Sequence, residues 1–183
     1  MNKIKYGLTN VYFAPVSADN GGVLTYDTPQ RILGGVSLSL EAQGDTNTFY
    51  ADNIAFFTST ANNGYQGDLE LALLPDSFRT AVLGEILDQK GMYVEHANDV
   101  QKEFALLFQF EGDESATKHC MYRCVASRPA TNGSTKEESI EPQTESITIT
   151  AMPRINDQLV KARCPQDASV YANWFNAVTE PTA

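Results

Sequence analysis

The chain has 183 residues, with 13 Lys and Arg against 23 Asp and Glu and a formal net charge of −10. That length suits one domain burying roughly 70% of the surface of its unfolded chain, with room for a hairpin or arm outside the core. The negative field slows approach to nucleic acid or an anionic membrane, which disfavours sequence-specific DNA binding. No run of about eighteen apolar residues occurs, and the opening Met-Asn-Lys-Ile-Lys-Tyr lacks the apolar core of a signal peptide, so neither membrane spanning nor export is expected.

In chain order, Gly7 to Phe13 reads as a first strand, and Pro15 with the turn cluster Asp19-Asn20-Gly21-Gly22 predicts a mobile N-terminal loop. Val36 to Gln43 alternates, with Val36, Leu38, Leu40 and Ala42 on one face and Ser37, Ser39, Glu41 and Gln43 on the other. A turn at Gly44-Asp45 leads into Thr48 to Thr60, rich in aromatic and β-branched residues, and the two segments together predict a hairpin. No basic residue occurs from Val36 to Asp68. Asn62 to Pro75 then reads as a Gly-rich turn feeding a half-buried strand, with Leu69, Leu71 and Leu73 inward and the acids Asp68 and Glu70 on the open side.

After Pro75, the spacing of Phe78, Val82, Leu83, Ile86 and Leu87 predicts a helix capped by Asp76, stopped by Gly91 and wet along Arg79, Glu85, Asp88 and Gln89. A helix of this kind covers the apolar side of a sheet. Glu103 to Glu111 and Lys118 to Ala126 predict a second hairpin, and Ser146 to Ala151 a last strand alternating Ile147 and Ile149 with Thr148 and Thr150. Between them, Ser127 to Glu145 is too polar to fold alone and reads as a long loop or arm. Gln166 to Phe175 predicts one short amphipathic helix ending in Trp174 and Phe175.

Chemistry-bearing motifs are scarce. In an extended segment Cys120 and Cys124 share a face roughly 13 Å apart, beyond the ~7 Å Cα separation of a disulfide, and Cys164 stands alone beside Pro165. Reduced thiols packed as small hydrophobes fit this pattern, with no metal or cofactor site. His119 and Cys120, as strand neighbours, point to opposite faces. Any two carboxylates at the right separation would serve a glycosidase, yet most acids here lie on polar strand faces or in the loop holding Glu137, Glu138, Glu141 and Glu145, where they read as solvating charge. No catalytic residue is assigned.

Tyr50-Ala51-Asp52-Asn53, Asn63-Gly64-Tyr65 with Gly67-Asp68-Leu69, Leu71-Ala72-Leu73-Leu74-Pro75, Phe104-Ala105-Leu106-Leu107-Phe108, Ala126-Ser127-Arg128-Pro129 and Glu141-Pro142-Gln143-Thr144-Glu145 occur in order. In these motifs the chain resembles the major tail proteins of long-tailed phages of Gram-positive bacteria, the phi13-type family. The likeness runs from about Lys5 to Lys161, so residues 1–162 are expected to form the tail tube domain and 163–183 a C-terminal extension, a short helix or an arm.

The resemblance implies a mainly β fold, a β-sandwich or barrel of two packed antiparallel sheets flanked by one α-helix with long loop extensions. It also implies a structural virion protein that assembles as hexameric rings stacked into a tube around the tape-measure protein and later DNA, with tail terminator and distal tail proteins as further partners. On that basis Ser37, Ser39, Glu41, Gln43, Asp45, Asp68 and Glu70 are expected to face the lumen. Asp19, Asn20 and Gly21 in the N-terminal stretch, and Asn132, Glu137, Glu138 and Glu141 in the polar loop, are expected to form ring-stacking arms. The alternative is a soluble β-sandwich module binding carbohydrate or protein, since aromatic residues on sheet faces also serve as sugar platforms.

Overall fold

The computed structural model of the chain describes residues 6–112, 115–133, 135 and 143–182. Its strands are β1 Leu8–Asn20, β2 Val23–Tyr26, β3 Gln30–Ile32, β4 Gly35–Gln43, β5 Thr46–Ala51, β6 Ile54–Thr60, β7 Gly64–Leu71, β8 Ile86–Leu87, β9 Tyr93–Val94, β10 Phe104–Phe110, β11 Lys118–Ala126, β12 Glu145–Ala151 and β13 Lys161–Cys164. The helix α1, Asp76–Phe78, continues as a π-helical turn over Arg79–Leu83. The fold is therefore mainly β, with antiparallel sheets and one short helix, as the alternating patterns predict.

The main sheet runs β2-β1-β10-β11-β12-β7-β4, with β3 added to β1 and β13 to β11. It curls until Gly35 of β4 lies against Val11 and Leu8 of β1, where an added Cβ would sit 3.2 and 3.3 Å from their side chains. Inside the curl, Val11, Phe13, Leu69, Leu71, Phe104, Leu106, Ile147 and Ile149 form the main core. Each such side chain taken fully from water contributes about 1.5–3 kcal/mol. Phe78, Val82 and Leu83 of the helical segment close the core, with Phe78 edge-on to Phe13 at 4.9 Å and to Phe104 at 5.3 Å. The helix thus covers the sheet's apolar side as expected.

Several elements differ from their sequence patterns. The helix does not reach Gly91: Gly84 adopts the left-handed conformation (φ 88°) and ends it. Ile86 and Leu87 continue the helical spacing by coincidence and sit half-exposed in the small β8–β9 hairpin, whose turn holds Gly91. Asp76 makes no side-chain cap, the cap position being Pro75. Pro15 does not interrupt the first strand. β1 leaves β10 at Pro15 and takes up β2 from Val16, and at that switch a missing N–H is tolerated. The predicted N-terminal loop is therefore the β1–β2 hairpin, its turn fixed by Asp19 Oδ1 accepting the Gly22 N–H at 2.7 Å.

The hairpin expected between residues 36–43 and 48–60 is also not formed. Residues 46–60 turn back on themselves at Asp52 and Asn53 (φ 51° and 61°) to make β5–β6, while β4 pairs with β7. Asn and Asp tolerate positive φ, which is how a two-residue turn forms there without glycine. Leu73 lies beyond the end of β7 and is exposed, and Leu74 takes the buried position instead.

A bulge in β11 redirects the cysteines. Phe104 opposes Cys124 but Leu106 opposes Met121, so β11 carries one extra residue and its later side chains change face. Cys124 joins the main core, whereas Cys120 faces the other side of the sheet, so the two do not share a face. All three cysteines are free and buried, and burial pushes the Cys124 thiol up to about 12.

On that other side, Ala14, Ala105, Leu107, Cys120 and Tyr122 form a second cluster, covered by the C-terminal segment. The predicted helix there is only a 3-10 turn at Tyr171–Asn173. Trp174 is buried, Phe175 stacks on Tyr12 at 4.7 Å, and the Tyr122 hydroxyl donates to the Thr179 carbonyl at 2.7 Å. The buried Arg154 lies over the Tyr122 ring and pairs with Asp157 and, at 2.8 Å, with Glu180. The segment after Cys164 is thus a wrap fastened to the sheet.

Two outcomes follow from this packing. Trp174→Ala should destabilise the fold by about 3–5 kcal/mol, read as a lower urea midpoint; an unchanged midpoint would mean that the wrap is not integral to the domain. Gly67 lies between Leu40 and Ile149, and a Cβ there would meet the Ser39 carbonyl oxygen at 1.7 Å. Gly67→Ala should therefore break β4–β7 pairing, seen as fast amide exchange from residues 37–41.

Candidate functional site

Strand β7 is paired on both sides, and its register with β12 and β4 aligns their outward residues into rows. Ser146, Glu70 and Ser37 form one row, Thr148, Asp68 and Ser39 the next, and Thr150, Gln66 and Glu41 a third. Their alternate residues, Leu38, Leu40, Leu69, Ile147 and Ile149, point into the main core. The period of two that buries one face leaves the other to water.

Hydroxyls brace two of the carboxylates on this face, Glu70 and Asp68. Glu70 accepts from Ser37 at 2.9 Å and from Thr144 at 2.7 Å, and these bonds hold its pKa below the ordinary value. Asp68 accepts from Thr148 at 2.8 Å. The rows contain no Lys or Arg, so they present a negative surface, hydroxyl-braced at Glu70 and Asp68.

Of the residues singled out from sequence, Ser37, Ser39, Glu41, Gln43, Asp68 and Glu70 share this face. Asp45 lies past its end, in the connection to β5, where its carbonyl accepts the Ala61 N–H at 2.9 Å. Gln66, Thr144, Ser146, Thr148 and Thr150 belong to the same surface and were not singled out. The alternation of Thr148 and Thr150 with Ile147 and Ile149 carries the signal, but only the β7–β12 pairing shows where it leads.

Asp19, Asn20 and Gly21 sit exposed at the tip of the β1–β2 hairpin. Asn132 is exposed in irregular chain, and Glu137, Glu138 and Glu141 lie outside the described residues. Glu145 is not solvating charge as the loop composition implied. It opens β12, accepts the Leu74 N–H at 2.7 Å and pairs with Arg79 at 3.0 Å, tying the helical segment to the sheet. Arg79 also reaches Glu85 at 3.5 Å, so the expected wet face of the helix is partly buried.

Two further surfaces are open. β4 is the last strand of the sheet, with β7 on one side and, among the described residues, no strand on the other. The β5–β6 hairpin stands clear of the body, every residue of β6 being exposed. Among the described residues no three His, Cys, Asp or Glu side chains gather as metal ligands.

An open charged face, a free sheet edge and a projecting hairpin are devices for contact with other chains rather than for holding a small molecule. A comparison with curated proteins returns no match. A family model described as phage tail tube protein matches residues 1–155. The matched region contains the whole three-strand acidic face, the β4 edge and the hairpin, and with it the chain belongs to the phage tail tube protein family, as a structural component of the virion tail.

Proposed function

We propose that the chain assembles as hexameric rings stacked into the tube of a long, non-contractile tail, with the acidic face of β12, β7 and β4 lining the lumen. The observation that carries this reading is that face: three strands of hydroxyls and carboxylates without a base, in a tail tube protein. DNA carries about one negative charge per 1.7 Å, and a basic bore would hold its phosphates through counterion release. A bore presenting Glu41, Asp68 and Glu70 repels them and lets DNA pass during ejection. The same surface first accommodates the tape-measure protein.

The free edge of β4 is the joint between ring neighbours. Six subunits pairing edge to edge close the sheets into one barrel and remove the edges that would otherwise aggregate. Stacking is a head-to-tail contact that does not close, so the tube lengthens until terminator and distal proteins cap it. The β1–β2 tip at Asp19 to Gly21 and the loop through Asn132, Glu137, Glu138 and Glu141 serve as stacking arms. Assembly takes place in the host cytoplasm.

Glu41→Lys with Glu70→Lys should leave tubes intact and slow DNA release several-fold, the deficit shrinking as salt rises; release at the normal rate would remove the lumen assignment. Deletion of residues 132–141 should leave a folded subunit, by circular dichroism, that yields only rings or short stacks by negative-stain microscopy. Tubes of full length from the deletion would exclude the loop from stacking.

A further inference from the structure

The β5–β6 hairpin carries five large apolar side chains, Phe49, Tyr50, Ile54, Phe56 and Phe57, each more than 60% exposed. Phe49 opposes Phe57, and Ala51 opposes Ile54 two residues on, which gives one face of the hairpin an apolar stripe. From Ala42 to Asn63 the only charged residues are Asp45 and Asp52. The arm is thus apolar, acidic and without a base.

A groove of about 450 Å³ beside β4 has the opposite character. Leu40, Tyr65, Phe108 and Phe110 line it with apolar and aromatic surface, and Lys161 and Arg163 stand at its rim. Lys161 lies over the Tyr65 ring at 4.2 Å and bonds to its hydroxyl. Two neighbouring cations beside an aromatic floor are a local reversal in a chain of net charge −10. Charge complementarity of this kind selects a partner and fixes its register.

The hairpin does not fill this groove in its own chain. It leaves β4 and β7 through short connections at residues 44–45 and 61–63 and projects from the body with β6 exposed throughout. We infer that the hairpin of one subunit seats in the groove of a second copy, Phe49 and Phe57 against the aromatic floor and Asp52 beside Lys161 and Arg163. This rests on the reading of the chain as a self-assembling tube subunit and gives that assembly a specific knob and socket. Seven extended residues span about 20 Å, enough to carry the stripe across an interface to a neighbour.

The test uses the full chain with a photoreactive benzoyl-phenylalanine at position 57, irradiated after tube formation. Adducts should map to peptides holding residues 161–163 or 104–121 of another copy, identified by mixing isotopically heavy and light chains. In parallel, Lys161→Glu with Arg163→Glu should raise the critical concentration for assembly at least about tenfold, a change of about 1.4 kcal/mol per subunit added, and Asp52→Lys in the same chain should restore it. Circular dichroism of the unassembled variants checks that folding is unchanged. Wild-type tubes whose adducts fall only on other surfaces, or on a different tail protein in whole particles, would overturn the knob and socket and leave the tube reading standing. Wild-type protein that forms no rings or tubes would sink both.

Discussion

The double pairing of β7 is the constraint on which the rest of the molecule depends. A strand bonded to β4 on one side and β12 on the other fixes three residue sets at once, and a slip of one residue would send Leu69 and Leu71 to water and Asp68 and Glu70 into the core. The core and the acidic face are therefore one decision, made by register. Gly67 guards it, since the close approach of the Ser39 carbonyl leaves no room for a side chain at that position.

From that register the sheet acquires an inner face that is apolar except where Lys161 and Arg163 of β13 edge the groove beside β4, and an outer face that is divided. Over β12, β7 and β4 the outer face is hydroxyl and acid, while over β11, β10 and β1 it is a second apolar cluster under the C-terminal wrap. The bulge in β11 marks the change, because it sends Cys120 and Tyr122 outward to the wrap while returning Cys124 to the core. One extra residue thus lets one strand serve two clusters. The salt bridge from Arg79 to Glu145 then pins the helical segment to the strand that begins the acidic face.

Much of this was legible in the chain. Alternation placed Ser37, Ser39, Glu41 and Gln43 opposite Leu38 and Leu40, and it located β10, β11 and β12 closely, because a half-buried strand must alternate. What stayed hidden was non-local or local-exceptional. Nothing in residues 44–63 says that β4 skips over them to pair with β7, since pairing partners are set by tertiary packing. Gly84 ended a helix whose apolar spacing carried on through Ile86 and Leu87, a case where one left-handed residue outweighs a periodic pattern. Glu145 looked like one more loop acid because its partners, Leu74 and Arg79, lie more than sixty residues away. The acidic surface was half visible for the same reason: β4 and β7 announced it, and β12 joined it only through the fold.

The C-terminal wrap bears on the order of events during synthesis. Every strand from β1 to β12 emerges from the ribosome before the residues that cover Leu107, Cys120 and Tyr122. Until Trp174 and Phe175 arrive, that half of the outer face is a sticky apolar surface on a sheet that already has its register. Each nascent chain thus passes through an interval in which this apolar face is open to aggregation, and docking of the wrap ends it.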